Sequence, residues 1–192
     1  LKGNGDVNAD NIRYYQAKDI LGVMFDITTG GKTYPAIIPM AGDFNVLNAT
    51  CAFSVCMGYI HAPESITDAL STVKIDGRFE MYHTPSGAVF VIDYAHNGLS
   101  LSCALEELRK FCRGRLICLF GSVGGRTENR REELGHAAAI YSDYCIVTSD
   151  NPNYEDPDKI INDILYCFNI SINSCRMSIY TFKFDSFSLT QA

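Results

Sequence analysis

The chain has 192 residues, of which 47% are hydrophobic and 20% are charged, and its formal net charge is −6. These proportions are ordinary for one large or two small globular domains and argue against a disordered chain. The acidic balance argues against a general nucleic-acid or membrane surface, and no run approaches the roughly 18 apolar residues of a membrane span. We therefore expect a cytoplasmic protein with neither kind of partner.

The first residue indicates whether the chain is part of a longer protein, and the cysteines indicate whether to expect disulfides or a metal site. Leu1 stands where an initiator Met would be expected, which favours a chain that begins inside a longer protein. The eight cysteines form no C-x-x-C pair, and none stands at ligand spacing from one of the four histidines. We expect reduced cysteines that pack as small hydrophobes, and no metal site.

Three β-prone runs alternate with Gly and Asp near the start of the chain and predict strands over 12–15, 22–28 and 33–39. The segment Gly30-Gly31-Lys32-Thr33 is not a phosphate loop, because Asp26 stands where that motif needs its first glycine. A hairpin turn is predicted there instead.

A mostly buried helix is predicted by the apolar run that ends near Ile60. Asn45 and Asn48 share a face of its first turn, where side-chain amides can pair with the edge of a base or cap the helix. Both interpretations stay open. A second short helix is predicted over 63–73, and a domain boundary near 74–77 follows it.

The second half opens with a strand pair that turns at 85–87 and with a strand over 88–92 that leads to Asp93. A carboxylate at the end of a buried strand is costly unless it binds something, and a ribose diol is one natural partner. The alternative is that Asp93 caps the next helix, predicted over 99–112 by its apolar spacing. His96 alone is typical of a surface or capping histidine.

The apolar run 116–120 predicts a strand buried on both faces of a parallel sheet. Gly121, Gly124 and Gly125 follow it and could turn tightly enough to bring backbone N–H groups close to a ligand. Arg126 ends this loop. With Arg130 and Arg131 it forms a basic cluster that is typical of a solvated helix start, although it could also meet an anionic substrate.

Thr127 is predicted to cap a helix over 128–141, and a strand over 145–148 then leads to Asp150-Asn151-Pro152-Asn153. Ligands of open α/β sheets bind beyond the carboxyl ends of the strands. One pocket could therefore hold Arg126 and Asn151 together.

The order strand, helix, strand, helix, strand predicts an α/β fold with a mostly parallel sheet and right-handed crossovers. Asp93, Gly121 and Asp150 are expected at the carboxyl ends of neighbouring strands. Another helix is predicted from Asp156-Pro157, and the tail over 169–192 is unassigned because it shows no clear period.

Five motifs follow one another along the chain: Gly42-Asp43-Phe44-Asn45-Val46-Leu47-Asn48, Gly77-Arg78-Phe79-Glu80, Asp93-Tyr94-Ala95-His96, Phe120-Gly121 with Gly124-Gly125-Arg126, and Asp150-Asn151-Pro152 with Glu155-Asp156-Pro157. In this order they resemble the motifs of the Mur ligases. Within that family, the chain is most similar to the MurE type, which adds the third residue of the peptidoglycan stem peptide.

The resemblance implies that residues 1–74 end an ATPase-like central domain and that 75–168 begin a Rossmann-like C-terminal domain. It implies an ATP- and Mg²⁺-dependent monomer that joins UDP-N-acetylmuramoyl-dipeptide to a free amino acid through an acyl phosphate. The phosphate loop and the Mg²⁺ ligands would lie upstream, so no catalytic residue is expected within the chain, which should be inactive alone.

The resemblance also assigns binding residues. Asn45 and Asn48 would lie at the adenine, and Arg78, Asp93 and His96 near the rest of the nucleotide. The incoming amino acid would be held by Arg126, Asp150, Asn151, Pro152 and Asn153.

Asn153 bears on which amino acid is added. Members of the family that take meso-diaminopimelate characteristically carry Arg at this position, where a guanidinium can grip the distal carboxylate of the substrate. Asn offers no charge, so L-lysine is predicted to be the more compatible substrate. Arg126 is expected to bind the carboxylate that both amino acids share. The alternative, in which Arg126 turns to the distal carboxylate instead, stays open.

Three alternatives are kept. One is a non-catalytic relative that retains the ligase fold only for binding. Another is a ligase of the folylpolyglutamate or cyanophycin type, against which Asp150-Asn151-Pro152 argues. The third is a Rossmann-type oxidoreductase, which the loop G-x-x-G-G-R disfavours because it lacks G-x-G-x-x-G.

Overall fold

The structure is a computed structural model that describes residues 5–17, 20–171 and 176–179. It divides into two compact units, Leu1–Tyr94 and Ala95–Ala192. The elements are β1 (Val7–Ala17), β2 (Ile20–Thr29), β3 (Lys32–Ile38), α1 (Asp43–Met57), α2 (Pro63–Leu70), β4 (Glu80–His83), β5 (Val89–Ile92), α3 (Gly98–Phe111), β6 (Ile117–Phe120), α4 (Asn129–Tyr141), β7 (Tyr144–Val147), α5 (Pro157–Ser171) and β8 (Arg176–Ile179).

In the first unit, β1, β2 and β3 form an antiparallel sheet in that order. The three strands predicted from the β-prone runs are confirmed. Gly30 and Gly31 make the turn between β2 and β3 with φ of 54° and 73°. Left-handed backbone at both positions is what a tight hairpin requires, so the predicted turn is confirmed.

Helices α1 and α2 place their apolar residues against this sheet. The prediction of a mostly buried α1 was wrong, because only one stripe of that helix is buried and Val55 on another face is 63% exposed. The shared core contains Val23, Phe25, Ile27, Ala36, Ile38, Val46, Ala49, Phe53, Ile66 and Leu70.

Strands β4 and β5 form an antiparallel hairpin of their own. The predicted strand pair with its turn at 85–87 is confirmed. The expectation that the strand before Asp93 would be a neighbour of β6 in the parallel sheet was wrong, since β5 pairs with β4.

In the second unit, β6, β7 and β8 form a parallel sheet in that order, and α4 and α5 are the crossovers between them. The predicted α/β fold with a parallel sheet is confirmed. β8 lies in the tail that the sequence left unassigned, and residues 180–192 of that tail lie outside the described residues. The core contains Leu101, Leu105, Cys118, Leu134, Ala137, Ala138, Ala139, Cys145, Val147, Ile160, Ile161, Ile164 and Leu165.

Two local predictions in this unit were wrong. β6 is not buried on both faces, because Cys118 is 6% exposed whereas Ile117 and Leu119 are 49% and 63% exposed. Thr127 does not cap α4, since the N-cap position is Glu128, which makes no side-chain capping bond.

Among the described residues, no helix is both long and apolar enough to cross a membrane. In the same part of the chain, no three His, Cys, Asp or Glu side chains are grouped so that they could hold a metal ion. Cys118 and Cys145 lie in the core, and Cys51 lies on the surface.

Candidate functional site

Two loops leave the same edge of the parallel sheet, because β6 and β7 are parallel neighbours. The glycine loop (residues 121–126) follows β6, and the DNP loop (residues 150–155) follows β7. A β-carbon on Gly121 would lie 2.6 Å from the carbonyl oxygen of Thr148, so only glycine allows the loops to start this close together.

Gly124 brings the two loops into direct contact. Its N–H donates to the carbonyl oxygen of Asn151 at 2.9 Å, and its carbonyl oxygen accepts from Nδ2 of Asn153 at 2.6 Å. A β-carbon at Gly124 would lie 1.9 Å from the carbonyl oxygen of Pro152. The glycine loop is therefore fastened to the DNP loop along its middle.

The expectation that the glycine loop points its N–H groups at a ligand was wrong for Gly124 and Gly125. Gly125 N donates to Oε1 of Glu155 at 2.6 Å, and Gly124 N is taken by Asn151. The physical reason is that a loop packed this closely on a neighbour must satisfy its backbone donors there.

The DNP loop holds its own shape through short-range bonds. Asn151 N donates to Oδ1 of Asp150 at 2.7 Å, and Asn153 N donates to Oδ1 of Asn151 at 3.1 Å. Asn153 has a left-handed φ of 52°, which Asn tolerates better than most residues. Its side chain thus has a structural task that the sequence did not reveal.

Arg131 lies on α4 and is 1% exposed. Its Nη2 donates to Oε2 of Glu155 at 2.7 Å, and its Nη1 donates to Oδ2 of Asp163 at 2.6 Å. Lys159 adds a bond to Asp163 at 2.9 Å. The interpretation of Arg131 as part of a solvated helix start was therefore wrong.

These contacts shift the protonation equilibria. The pKa of Glu155 is lowered mainly by the hydrogen bond from Arg131, and further by the hydrogen bond from the Gly125 N–H. Burial would raise the pKa of Asp163, but the hydrogen bonds from Lys159 and Arg131 outweigh it and lower that pKa. Burial likewise opposes the charge of Arg131, and its bonds to Glu155 and Asp163 outweigh this and raise its pKa. Arg131, Glu155 and Asp163 therefore stay ionised at neutral pH.

Arg126 differs from Arg131 in its surroundings. Its side chain is exposed and follows Gly125 directly, at the point where the two loops meet. Asp150 and Asn151 are also exposed. The structure thus brings the two loops that carry the predicted amino-acid-binding residues to one sheet edge, and leaves the side chains of Arg126, Asp150 and Asn151 exposed there.

Two hydroxyls at the same edge were missed by the sequence reasoning. Ser122 Oγ and Thr148 Oγ1 are buried, and neither has a hydrogen-bond partner in the part of the chain that the structure describes. Both stand within two residues of the end of a strand, which is the only sequence signal that could have indicated them.

The other predicted residues lie in two places. In the first unit, Asn45 is buried and its Nδ2 donates to the carbonyl oxygen of Ala41 at 2.7 Å, whereas Asn48 is exposed. Neither side chain caps α1, whose N-cap is Gly42. The capping interpretation was therefore wrong, and Asn48 is the amide left at the surface.

Arg78 and Asp93 lie near the start of α1. The Phe44 ring at that start lies 6.1 Å from the Phe79 ring, and Phe79 N donates to Oδ2 of Asp93 at 3.1 Å. Arg78 lies over the Tyr94 ring at 4.9 Å. One patch of the first unit thus carries residues from three of the sequence motifs.

Asp93 does not cap α3. That task belongs to Asn97, whose Oδ1 accepts from Ser100 N at 2.9 Å in a capping box. His96 lies in the second unit, and its side chain is exposed. Its backbone N–H donates to Oγ of Ser100 at 3.2 Å.

Comparison with known proteins identifies a family. The family described as "Mur ligase, glutamate ligase domain" matches residues 77–180. The UDP-N-acetylmuramoyl-L-alanyl-D-glutamate--2,6-diaminopimelate ligase of Aquifex aeolicus is 38% identical over 161 residues, which are 84% of this chain and 32% of that protein. Its counterpart in Clostridium acetobutylicum, ligase 2, is 36% identical over 164 residues, 84% of this chain and 33% of that protein. The chain spans about a third of the length of these curated relatives.

The chain is also similar to solved structures. A structure of UDP-N-acetylmuramoyl-L-alanyl-D-glutamate--2,6-diaminopimelate ligase is 25% identical with a TM-score of 0.55, covering 95% of this chain and 36% of that one. The folylpolyglutamate synthase of Mycobacterium tuberculosis, complexed with ADP and AMPPCP, has a TM-score of 0.71 at 19% identity, covering 92% of this chain and 39% of that one, and shares the fold alone. Because the matched residues are more than half of the chain and contain both loops, the chain belongs to the Mur ligase family.

Proposed function

We propose that the complete protein containing this chain is an ATP-dependent ligase of peptidoglycan precursor synthesis. It would join a free diamino acid to UDP-N-acetylmuramoyl-dipeptide. The observation that carries the proposal is the exposed Arg126 on two interlocked loops at the carboxyl edge of β6 and β7. The names of the relatives support the same reaction.

The chemistry consists of two displacements. A carboxylate oxygen of the dipeptide attacks the γ-phosphorus of ATP, and ADP leaves. The amine of the incoming amino acid then attacks the acyl carbon, and phosphate leaves as the amide forms and the amine loses a proton. Positioning of the amine against the acyl phosphate is the main contribution that a protein can make to the second step.

The second unit would hold the incoming amino acid. Arg126 can donate two parallel hydrogen bonds to its α-carboxylate. Asp150 and Asn151 offer oxygens to its ammonium group. The buried hydroxyls of Ser122 and Thr148 lie at the same edge and can accept or donate as the substrate requires.

The first unit would contribute to the nucleotide site. Asn48 is the exposed amide that can reach the edge of the adenine, and Asp93 can accept from the ribose hydroxyls. Arg78 carries the positive charge of this patch. His96 belongs to the second unit, and its role near the nucleotide stays a prediction. The described residues hold no cluster suited to Mg²⁺, and the family resemblance implies that the ligands of this ion lie upstream.

The amino acid is either meso-diaminopimelate or L-lysine. The names of the relatives favour diaminopimelate for those proteins. The neutral Asn153 favours lysine, and this stays a prediction. However, Nδ2 of Asn153 is already bonded to Gly124, so its amide has one donor fewer to offer a substrate.

The test uses the complete protein with ATP and UDP-N-acetylmuramoyl-dipeptide, and measures phosphate release together with the mass of the product. Arg126→Met should raise the KM for the amino acid by roughly thirtyfold or more, because it removes a charge-assisted pair. Arg130→Met is the matched control, since Arg130 lies nearby on α4, and it should change that KM by less than about threefold. Equal effects of the two substitutions would contradict the proposed role of Arg126.

The choice of amino acid is tested by kcat/KM for both substrates in the wild type and in Asn153→Arg. Lysine preference in the wild type with a shift toward diaminopimelate in the variant would support Asn153 as the selector. A tenfold preference for diaminopimelate that the substitution leaves unchanged would exclude it. A protein that binds the nucleotide but releases no phosphate with either amino acid would instead be the non-catalytic relative.

A further inference from the structure

Glu155 uses both of its carboxylate oxygens on different partners. Oε1 accepts from Gly125 N in the glycine loop at 2.6 Å, and Oε2 accepts from Nη2 of Arg131 at 2.7 Å. Glu155 itself belongs to the DNP loop, where its N–H donates to the carbonyl oxygen of Pro152 at 3.0 Å. One side chain therefore ties both loops to an arginine on α4.

Arg131 connects this carboxylate to the helices behind the sheet edge. Its Nη1 donates to Asp163 on α5 at 2.6 Å, so the guanidinium is held from two sides. The contacts that reach the glycine loop run from Arg131 through Glu155 to the backbone of Gly125. The residue after Gly125 is Arg126, the exposed cation of the proposed amino-acid site.

Stability alone is a poor explanation for an arginine that is 1% exposed. Desolvating a guanidinium is expensive, and a buried ion pair often stabilises no more than apolar residues of the same volume. Nε of Arg131 is moreover buried without a hydrogen-bond partner in the described part of the chain. The planar guanidinium of Arg131 does, however, fix the direction of each carboxylate that it binds.

We infer that Arg131 and Glu155 are positioning residues that fix the backbone beneath Arg126, and thereby set the affinity of the site for the incoming amino acid. This inference rests on the proposed function. Neither residue would touch the substrate. Arg131 orients Glu155, and Glu155 holds the backbone of Gly125. The backbone next to Arg126 is therefore kept in one conformation, which restricts where its guanidinium can lie.

Asp163 provides a matched control. Asp163 and Glu155 each accept from Arg131, at 2.6 Å and 2.7 Å, and their side chains are 32% and 29% exposed. Asp163 lies on α5 and pairs with Lys159, whereas Glu155 also holds the backbone of the glycine loop. A purely structural network would respond in the same way to the loss of either charge.

The first experiment compares Glu155→Gln with Asp163→Asn in the complete protein. Both should lower Tm by similar amounts. Glu155→Gln should raise the KM for the amino acid by about tenfold and leave the KM for ATP within about twofold, because one charge-assisted bond to the loop is lost. Asp163→Asn should leave both KM values within about twofold. Equal changes in the amino-acid KM would overturn the inference.

A second variant covers the case in which Glu155→Gln folds poorly. Glu155→Asp keeps the charge but withdraws the carboxylate by one methylene group, so it can no longer reach both Gly125 and Arg131. We expect the same rise in the amino-acid KM with a smaller loss of Tm. An unchanged KM in this variant would also overturn the inference.

The second experiment does not depend on ligase activity. Amide hydrogen exchange at Gly125, followed by NMR, should be at least about tenfold faster in Glu155→Gln than in the wild type and within about threefold in Asp163→Asn. If the wild type ligates no amino acid, the proposed function fails, and the exchange rates still decide whether Glu155 fixes the loop. Equal exchange in all three proteins would show that it does not.

Discussion

Gly124 is the residue whose replacement the structure restricts most clearly. A β-carbon there would lie 1.9 Å from the carbonyl oxygen of Pro152, so Gly124→Ala must push the two loops apart. We expect a loss of about 1 to 3 kcal/mol in the free energy of unfolding, measured by urea denaturation. Gly114→Ala is the control, because a β-carbon there meets nothing within 4 Å, and it should cost less than about 0.5 kcal/mol. Equal losses would show that the loops relax freely.

Asn153 combines a left-handed backbone with a side-chain bond, and two substitutions separate these contributions. Asn153→Gly keeps a φ of 52° accessible and removes only the bond to Gly124, so it should cost about 1 kcal/mol. Asn153→Ala removes the bond and adds the left-handed strain, so it should cost about 2 kcal/mol or more. Urea denaturation of the three proteins measures both values. An alanine variant as stable as the glycine variant would contradict the assigned strain.

Sequence reasoning at the scale of single residues succeeded where the signal is local. The hairpin at Gly30 and Gly31 follows from the conformational freedom of two adjacent glycines, which needs no knowledge of the rest of the chain. The burial of Arg131 could not be predicted, because its partners are 24 and 32 positions away. The structural task of Asn153 was missed for the same reason, since Gly124 is 29 positions away.

Helix α3 begins with a capping box formed by Asn97 and Ser100. Asn97→Ala removes the acceptor for the Ser100 N–H and should lower the free energy of unfolding by about 1 kcal/mol. Asn129→Ala is the control, because Asn129 opens α4, whose N-cap Glu128 makes no side-chain capping bond. That substitution should cost less than about 0.5 kcal/mol. Losses of equal size in thermal denaturation would mean that the capping box contributes nothing specific.

Element types were predicted better than element surroundings. Alternating β-prone runs and the spacing of apolar residues indicated β1 to β3 and α3, because those patterns repeat within each element. The run 116–120 indicated β6, but a continuous apolar run does not reveal whether the second face of the strand is covered. Ile117 and Leu119 are in fact exposed.

The response of the chain to acid follows from carboxylates that are hydrogen-bonded in the folded protein. The pKa of Asp143 is lowered mainly by the hydrogen bond from the Leu116 N–H, and further by the hydrogen bond from Arg109. The pKa values of Glu155 and Asp163 are also lowered. Such groups stabilise the fold fully above their unfolded-state pKa of about 4, and this contribution is lost as pH falls through the folded-state pKa. We expect the free energy of unfolding to decrease as pH falls from about 5 toward 2.

Asp143→Asn tests this expectation, because it removes one of these carboxyls. The decrease in unfolding free energy with falling pH should be shallower in the variant, as measured by urea denaturation at a series of pH values. Parallel profiles for the wild type and the variant would show that Asp143 does not contribute to the acid response.

For the molecule as a whole, the sequence indicated the α/β class and the family through five motifs in order, and the match to residues 77–180 confirms the family. The separation of β5 from the parallel sheet was not predictable, because a strand that pairs with its hairpin partner on one edge can still join another sheet strand on the other edge. The boundary near 74–77 stays a prediction, as do the binding roles assigned to the individual residues.

The contact between Gly124 and the DNP loop also bears on protein engineering. A graft of residues 150–155 from a relative with a different substrate would bring a new backbone path against an unchanged glycine loop. The Pro152 carbonyl packs so closely on Gly124 that a β-carbon there would lie 1.9 Å from its oxygen, and the N–H of Gly125 donates to the carboxylate of Glu155. Exchange of substrate preference by transplantation should therefore succeed only when residues 121–126 and 150–155 are moved as a pair.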